Sequence, residues 1–118
     1  MKKIKIAFTG VFDIDNFGDH LFPIIFENSL RKRKIDVELF LFSPYESTQG
    51  FGIAKKVYSI REMEKLHKIN KFDAIVVGGG EIIHFYSFKQ KNHEEKYVEY
   101  PIFETWIVPS IIGRKYGI

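Results

Sequence analysis

Apolar and polar positions along the chain change period several times, and each change marks an element. Ile4, Ile6, Ala7 and Phe8 form a short apolar run ending at Thr9-Gly10, the pattern of a strand buried in a parallel sheet. From Asp19 the spacing becomes helical, with Leu21, Phe22, Ile25, Phe26, Ser29 and Leu30 recurring until the basic cluster Arg31-Lys32-Arg33-Lys34. Positive charge there complements the C-terminal end of a helix dipole, so the cluster reads as a solvated helix end, with an anion patch as the alternative. Val37 to Phe42 predicts a second strand, closed by Ser43-Pro44 because proline cannot donate to a ladder and restricts its predecessor.

Tyr45 to Gly52 has the composition of a loop, and Lys56-Val57-Tyr58 predicts a short third strand. Ser59-Ile-Arg-Glu62 is a capping box, in which hydroxyl and carboxylate satisfy each other's orphan amides at the start of a second helix. Met63, Leu66 and Ile69 supply the apolar face of that helix, and Asn70-Lys71 ends it. Asp73 to Val77 is the clearest buried strand, with Gly78-Gly79-Gly80 at its C-terminal end. From Glu81 to Glu104 no steady period appears, and a connection of that length without structure is expected to be functional or disordered. Trp106 to Lys115 predicts a third helix, with Pro109 in its first turn and Gly117 as its C-cap.

This series calls for a further parallel strand where the sequence ends. It predicts a Rossmann-like α/β fold, a three-layer parallel sheet with right-handed crossovers, as one domain over residues 1–118 that is half of a larger fold. With 118 residues, 45% of them hydrophobic and 28% charged, the chain is long enough for one core. The net charge of +3 is too small and too dispersed to argue for nucleic acid. Absence of cysteine excludes disulfides and cysteine-ligated zinc, and suits a reducing cytoplasm. Met1-Lys2-Lys3 begins like a signal peptide, but the apolar stretch after it is short, glycine-broken and followed by Asp13 and Asp15. No window approaches eighteen apolar residues, so no transmembrane segment is expected.

In an open parallel sheet, ligands bind beyond the carboxyl ends of the strands where the strand order reverses. With spatial order 3-2-1-4, the loop from Gly10 to Gly18 and the glycines 78–80 line one crevice. Neither a Walker motif nor Gly-x-Gly-x-x-Gly follows the first strand, which argues against a dinucleotide. Asn16 offers a side chain that caps or binds, Gly18 permits tight approach, and Asp19 puts a carboxylate at the positive helix end. A carboxylate there repels phosphate and suits a hydroxyl or an amine; the plainer alternative is a helix cap with Gly18 in the turn. Gly78, Gly79 and Gly80 imply close backbone approach or amides aimed at a ligand, or else tight packing against the first helix. Glu81 is placed to accept sugar hydroxyls, or is simply exposed.

The four histidines lack metal-ligand spacing, so no metal site is expected. His67 and His93 lie in polar stretches expected to be exposed, whereas His20 and His84 border the crevice and are candidates, with Asp19, for proton handling. The aromatics of segment 85–106 suit stacking on a sugar, or burial in a core or an interface.

Together, "VFDIDNFGDHLFP", "FDAIVVGGGEIIHF" and "WIVPSIIGRKYGI" resemble, in order and distance, the N-terminal half of the polysaccharide pyruvyl transferase family. The resemblance covers nearly the whole chain. It implies the N-terminal half of a two-domain fold similar to GT-B glycosyltransferases, and transfer of a pyruvyl group from phosphoenolpyruvate to a sugar of a surface or exported glycan. Asn16, Gly18, Asp19 and Gly78 to Gly80 match the family's motif positions and would line the acceptor side, while the groups that hold phosphoenolpyruvate are expected in a C-terminal domain this chain lacks. The partners implied are phosphoenolpyruvate and a glycan acceptor, no cofactor is called for, and the fragment alone is expected to be inactive. Alternatives are a GT-B-like half using a nucleotide-sugar, a non-catalytic sugar-binding module, or an interaction domain that forms a homodimer through segment 85–106 or a sheet edge.

Overall fold

A computed structural model describes residues 2–13, 17–47, 56–78, 88–91 and 96–118. The chain forms β1 (Ile4–Thr9), α1 (Phe17–Lys32), β2 (Val37–Ser43), β3 (Val57–Ser59), a 3-10 turn (Ile60–Glu62), α2 (Met63–Asn70), β4 (Ala74–Val77), β5 (Phe88–Lys91), β6 (Tyr97–Tyr100) and α3 (Glu104–Tyr116). Four strands make an all-parallel sheet in the order β3-β2-β1-β4, as the sequence predicts. Ile4 to Thr9 pair with Val37 to Phe42 on one side of β1, and Ile6 to Thr9 pair with Ala74 to Val77 on the other.

Alternation along the strands builds the layers, since successive side chains point to opposite faces. Ile6, Phe8, Leu39 and Leu41 form one core with Phe12 and Val57, covered by Ile24, Phe26 and Leu30 of α1. Ala7 and Phe42 belong to the other core, with Ile60, Met63, Phe72 and Ile112, so α2 and α3 cover that face. The result is an α/β architecture, helices on both sides of a parallel sheet, compatible with a Rossmann-like fold.

Five local expectations change. Segment 88–100 contains an antiparallel hairpin, β5 paired with β6 from Phe88↔Tyr100 to Lys91↔Tyr97. Each strand is four residues long, too short to set a period in the sequence, although in β6 Tyr97 and Glu99 are exposed and Tyr100 is buried. His67 is buried rather than exposed, while Ile69, expected on the core face, is 67% exposed. The buried face of α2 is set by the i, i+4 pair Met63 and His67, and Ile69 lies off it. His67 Nδ1 accepts from the Phe72 N–H at 3.1 Å, closing the turn in which Lys71 adopts a left-handed φ of 61°.

Helix α3 starts at Glu104, so Pro109 is interior, and Gly117 ends it with φ 69°, as the C-cap expectation requires. Ser59 Oγ accepts from the Arg61 N–H at 3.3 Å and caps the 3-10 turn rather than α2 itself. Among the described residues β4 pairs with β1 alone, and a groove of about 230 Å³ lined by Ile75, Val77, Pro109, Gly113 and Ile118 runs between β4 and α3. No described helix is long and apolar enough to cross a membrane.

Candidate functional site

Beyond β1 the chain turns over the end of the sheet, held by one hydroxyl. Ser43 Oγ donates to the Gly10 carbonyl at 2.6 Å and accepts from the Phe12 N–H at 2.8 Å, and all of this is buried. Gly10 makes room for the Phe12 ring, since a Cβ there would sit 2.5 Å from the tip of that buried side chain. Phe12 fills the α1-side core, and the next residue, Asp13, is directed into the protein.

Asp13 is 6% exposed. Its Oδ1 accepts from the Tyr100 hydroxyl at 2.5 Å, across 87 residues of sequence, and its Oδ2 accepts from the Tyr45 N–H at 3.0 Å. Tyr45 in turn donates its hydroxyl to the Glu99 carbonyl of β6. Burial pushes the Asp13 carboxyl up from 3.8 to about 6, against the opposing pull of the Tyr100 hydroxyl, the Tyr45 amide and the nearby His20. Burial and the Asp13 charge raise the Tyr100 phenol in the same way, so it remains a donor.

Helix α1 brings its first turn to the same place. Gly18 is exposed, Asp19 is half-buried and His20 is 2% exposed. Burial raises the Asp19 carboxyl above its ordinary value, with His20 opposing. A carboxyl inside the first turn of a helix is favoured in its charged form by the dipole, and accepts hydrogen bonds from neutral polar ligands more readily than it admits an anion.

Opposite, Gly78 leaves β4 against β1. Its N–H donates to the Thr9 carbonyl at 2.7 Å, and a Cβ would stand 2.4 Å from that oxygen and 2.9 Å from the Phe8 ring. Gly78 is thus explained by backbone packing on β1, not on α1, and its amide is spent. Thr9 Oγ1, also at this end of β1, is buried with no hydrogen-bond partner among the described residues. Asn16, Gly79, Gly80, Glu81, His84 and His93 lie outside the described residues. No described group of His, Asp and Glu side chains is arranged to hold a metal.

The structure places Gly18, Asp19 and His20 in the first turn of α1, where the His20 charge acts on Asp13 and the Asp19 charge on Tyr100, and sets Gly78 at the carboxyl end of β4 against Thr9 of β1. It adds Asp13 and Tyr100, which no motif singles out. Asp13 is one of three aspartates in a short polar run, and Tyr100 is one aromatic among several in a segment without period. The available signal is an aspartate three residues beyond the glycine that ends a buried strand. Chemically, the cluster combines a carboxyl pushed up to about 6 by burial, a second, partly buried carboxyl and an imidazole, a set suited to accepting hydroxyl hydrogens. No family model matches the chain, and comparison with curated proteins and with solved structures returned no match.

Proposed function

We propose that the chain is the acceptor-side half of a pyruvyl transferase of GT-B-like build, which presents a sugar diol to phosphoenolpyruvate. The observation that carries this reading is Asp19, a partly buried carboxyl in the first turn of α1 that interacts through its charge with His20 and Tyr100. It favours a neutral hydroxyl donor over a phosphate. The sequence resemblance supplies the reaction class.

In that reaction two acceptor hydroxyls add to the central carbon of the enol phosphate. Its bond to the phosphate oxygen breaks, the methylene carbon gains a proton to become methyl, and inorganic phosphate leaves with the other proton. Asp19 orients one hydroxyl and draws on its hydrogen, and Gly18 leaves room for the ring. Three of the four arginines already have partners within the chain, and the fourth, Arg114, lies on α3 beside the groove next to β4. Arg31 pairs with Glu27, Arg61 pairs with Glu104, and Arg33 bonds the Ser29 carbonyl.

Those arginine commitments equally favour a second reading, a sugar-binding module without chemistry. Residue-resolved NMR titration of the chain with a panel of glycan diols and, separately, with phosphoenolpyruvate tests both. Shifts at Gly18, Asp19 and Gly78 with a diol support the acceptor-side assignment, and silence at these residues with every sugar refutes both readings. Release of phosphate from phosphoenolpyruvate by the chain together with an arginine-bearing second half separates transferase from binder.

A further inference from the structure

Helices that cross between parallel strands run back toward the amino ends of those strands, so helix C-termini and strand starts gather at one end of the sheet. Here that end carries positive charge from three separate stretches of sequence. Lys2 and Lys3 precede β1, Arg31 to Lys34 close α1 ahead of β2, and Lys68 and Lys71 close α2 ahead of β4. Since β2, β1 and β4 are parallel neighbours, their starts lie about 5 Å apart, and the three stretches form one pole. Backbone bonds join them, from the Ile4 N–H to the Asp36 carbonyl at 2.9 Å and from the Asp73 N–H to the Lys5 carbonyl at 2.7 Å. Charge that is dispersed along the sequence is therefore gathered in space.

All of these basic residues are exposed. Glu27 and Asp36 pair with Arg31, and Asp73 pairs with Lys2, while Lys3, Lys32, Lys34, Lys68 and Lys71 make no ion pair among the described residues. Helix dipoles account for Arg31, Lys32 and Lys68, which stand in last turns. They do not account for Lys2 and Lys3, nor for Lys34 and Lys71, which both take a φ of 61°, a left-handed conformation that suits glycine or asparagine better than lysine. Beside Lys68, Ile69 is 67% exposed. The exposed aromatic rings among the described residues, Phe22, Tyr45 and Tyr97, stand elsewhere, in the first half of α1, after β2 and in β6.

We propose that this pole is a docking surface for an anionic phospholipid membrane, its lysines among the headgroup phosphates and carboxylates and Ile69 entering the interface. Ile69 favours a lipid surface over a nucleic acid, because headgroups admit an apolar side chain, whereas no described aromatic ring is exposed at this end for bases to stack on. Each lysine near such a surface strengthens binding about fivefold. Docked this way, the strands point away from the bilayer, and α1, 16 residues long, holds its first turn with Asp19 about 24 Å above it. The inference rests on the charge distribution and not on the transferase reading.

Co-sedimentation of the whole chain with vesicles tests this, using phosphatidylcholine alone and phosphatidylcholine with about one-third phosphatidylserine. Binding is expected on the anionic vesicles only, falling steeply as salt rises from about 0.1 M to about 1 M. Lys34→Asn with Lys71→Asn removes two charges while giving both left-handed positions a residue that tolerates them, and is expected to weaken binding about 30-fold. Lys56→Gln with Lys89→Gln removes the same charge elsewhere and is expected to leave binding within about twofold. Ile69→Ser is expected to weaken it about tenfold at constant salt. Equal binding to both vesicle types, no binding to either, equal losses in the two lysine pairs or unchanged binding in Ile69→Ser each overturn the proposal. So does capture of duplex DNA by the same lysines without binding to anionic vesicles, which would make the pole a nucleic-acid surface. The two vesicle types decide the matter with the unaltered protein even where a variant fails to fold.

Discussion

Replacing Asp13 by Asn tests whether this buried carboxyl carries a stability cost at neutral pH. A shift from 3.8 to about 6 corresponds to about 3 kcal/mol that ionised Asp13 withdraws from the folded state. Because the folded value is raised, the stabilising contribution belongs to the protonated form: it is complete below the ordinary carboxylate range and lost as pH rises through about 6. Between pH 4.5 and pH 7.5 the loss is about 2 kcal/mol. Asparagine removes the charge and keeps an oxygen for the Tyr100 hydroxyl, but turns its amide toward the Tyr45 N–H, at about 1–3 kcal/mol for the unpaired donor. At pH 7.5 the two effects nearly cancel, so absolute stability there discriminates nothing.

The discriminating quantity is the difference between unaltered protein and Asp13→Asn, measured by urea unfolding at both pH values. Other titrating groups cancel in that difference. It should swing by about 2 kcal/mol in favour of the unaltered protein on acidification, a relative midpoint shift on the order of 1 M urea for a domain of this size. A difference constant to within about 0.5 kcal/mol across the range would mean that Asp13 is not kept neutral by burial, and the argument from its environment fails.

Two further outcomes follow from the packing. Gly78→Ala forces a Cβ to within 2.4 Å of the Thr9 carbonyl oxygen, a backbone atom unable to swing aside, and is expected to cost about 1–3 kcal/mol by thermal or urea unfolding; an unchanged midpoint would remove the close-approach explanation. His67→Leu leaves the buried Phe72 N–H without its acceptor, an expected loss of about 1–3 kcal/mol. Burial pushes the His67 imidazole below its usual range, so its contribution is present above the ordinary histidine value and lost as pH falls, opposite in sign to Asp13. A stability gap between His67→Leu and the unaltered protein that narrows on acidification is the expected result, and one that widens refutes it.

Much of the fold was legible because its signals are local. A buried parallel strand is a continuous apolar run, and Ile4 to Thr9 and Val37 to Phe42 each read as one; Asp73 to Val77 also gave a strand, but β4 is only half-buried and Val77 is exposed, because among the described residues it pairs with β1 alone. Gly117 announced the end of α3 because few other residues tolerate its φ of 69°. The β5–β6 hairpin was not legible, since its strands, FKQK and YVEY, are four residues each, too short for alternation to stand out in a segment of mixed aromatics and charges. His67 misled for another reason: an imidazole counts as polar in a pattern, yet here it is spent as an acceptor under Phe72 and Tyr116.

The site divides along the same line. By itself the sequence determined that glycine-bearing turns follow the first and fourth strands, that a carboxylate stands in the first turn of α1, and that no cysteine site or dinucleotide motif exists. These are properties of neighbouring residues, and short-range sterics and dipoles settle them. Only the tertiary structure decided that Gly78 spends its amide on Thr9, and that Asp13, Tyr45 and Tyr100 meet. A carboxyl's proton affinity is set by what excludes water from it. Here the excluding residue arrives from 87 positions away, a distance over which no local pattern carries information.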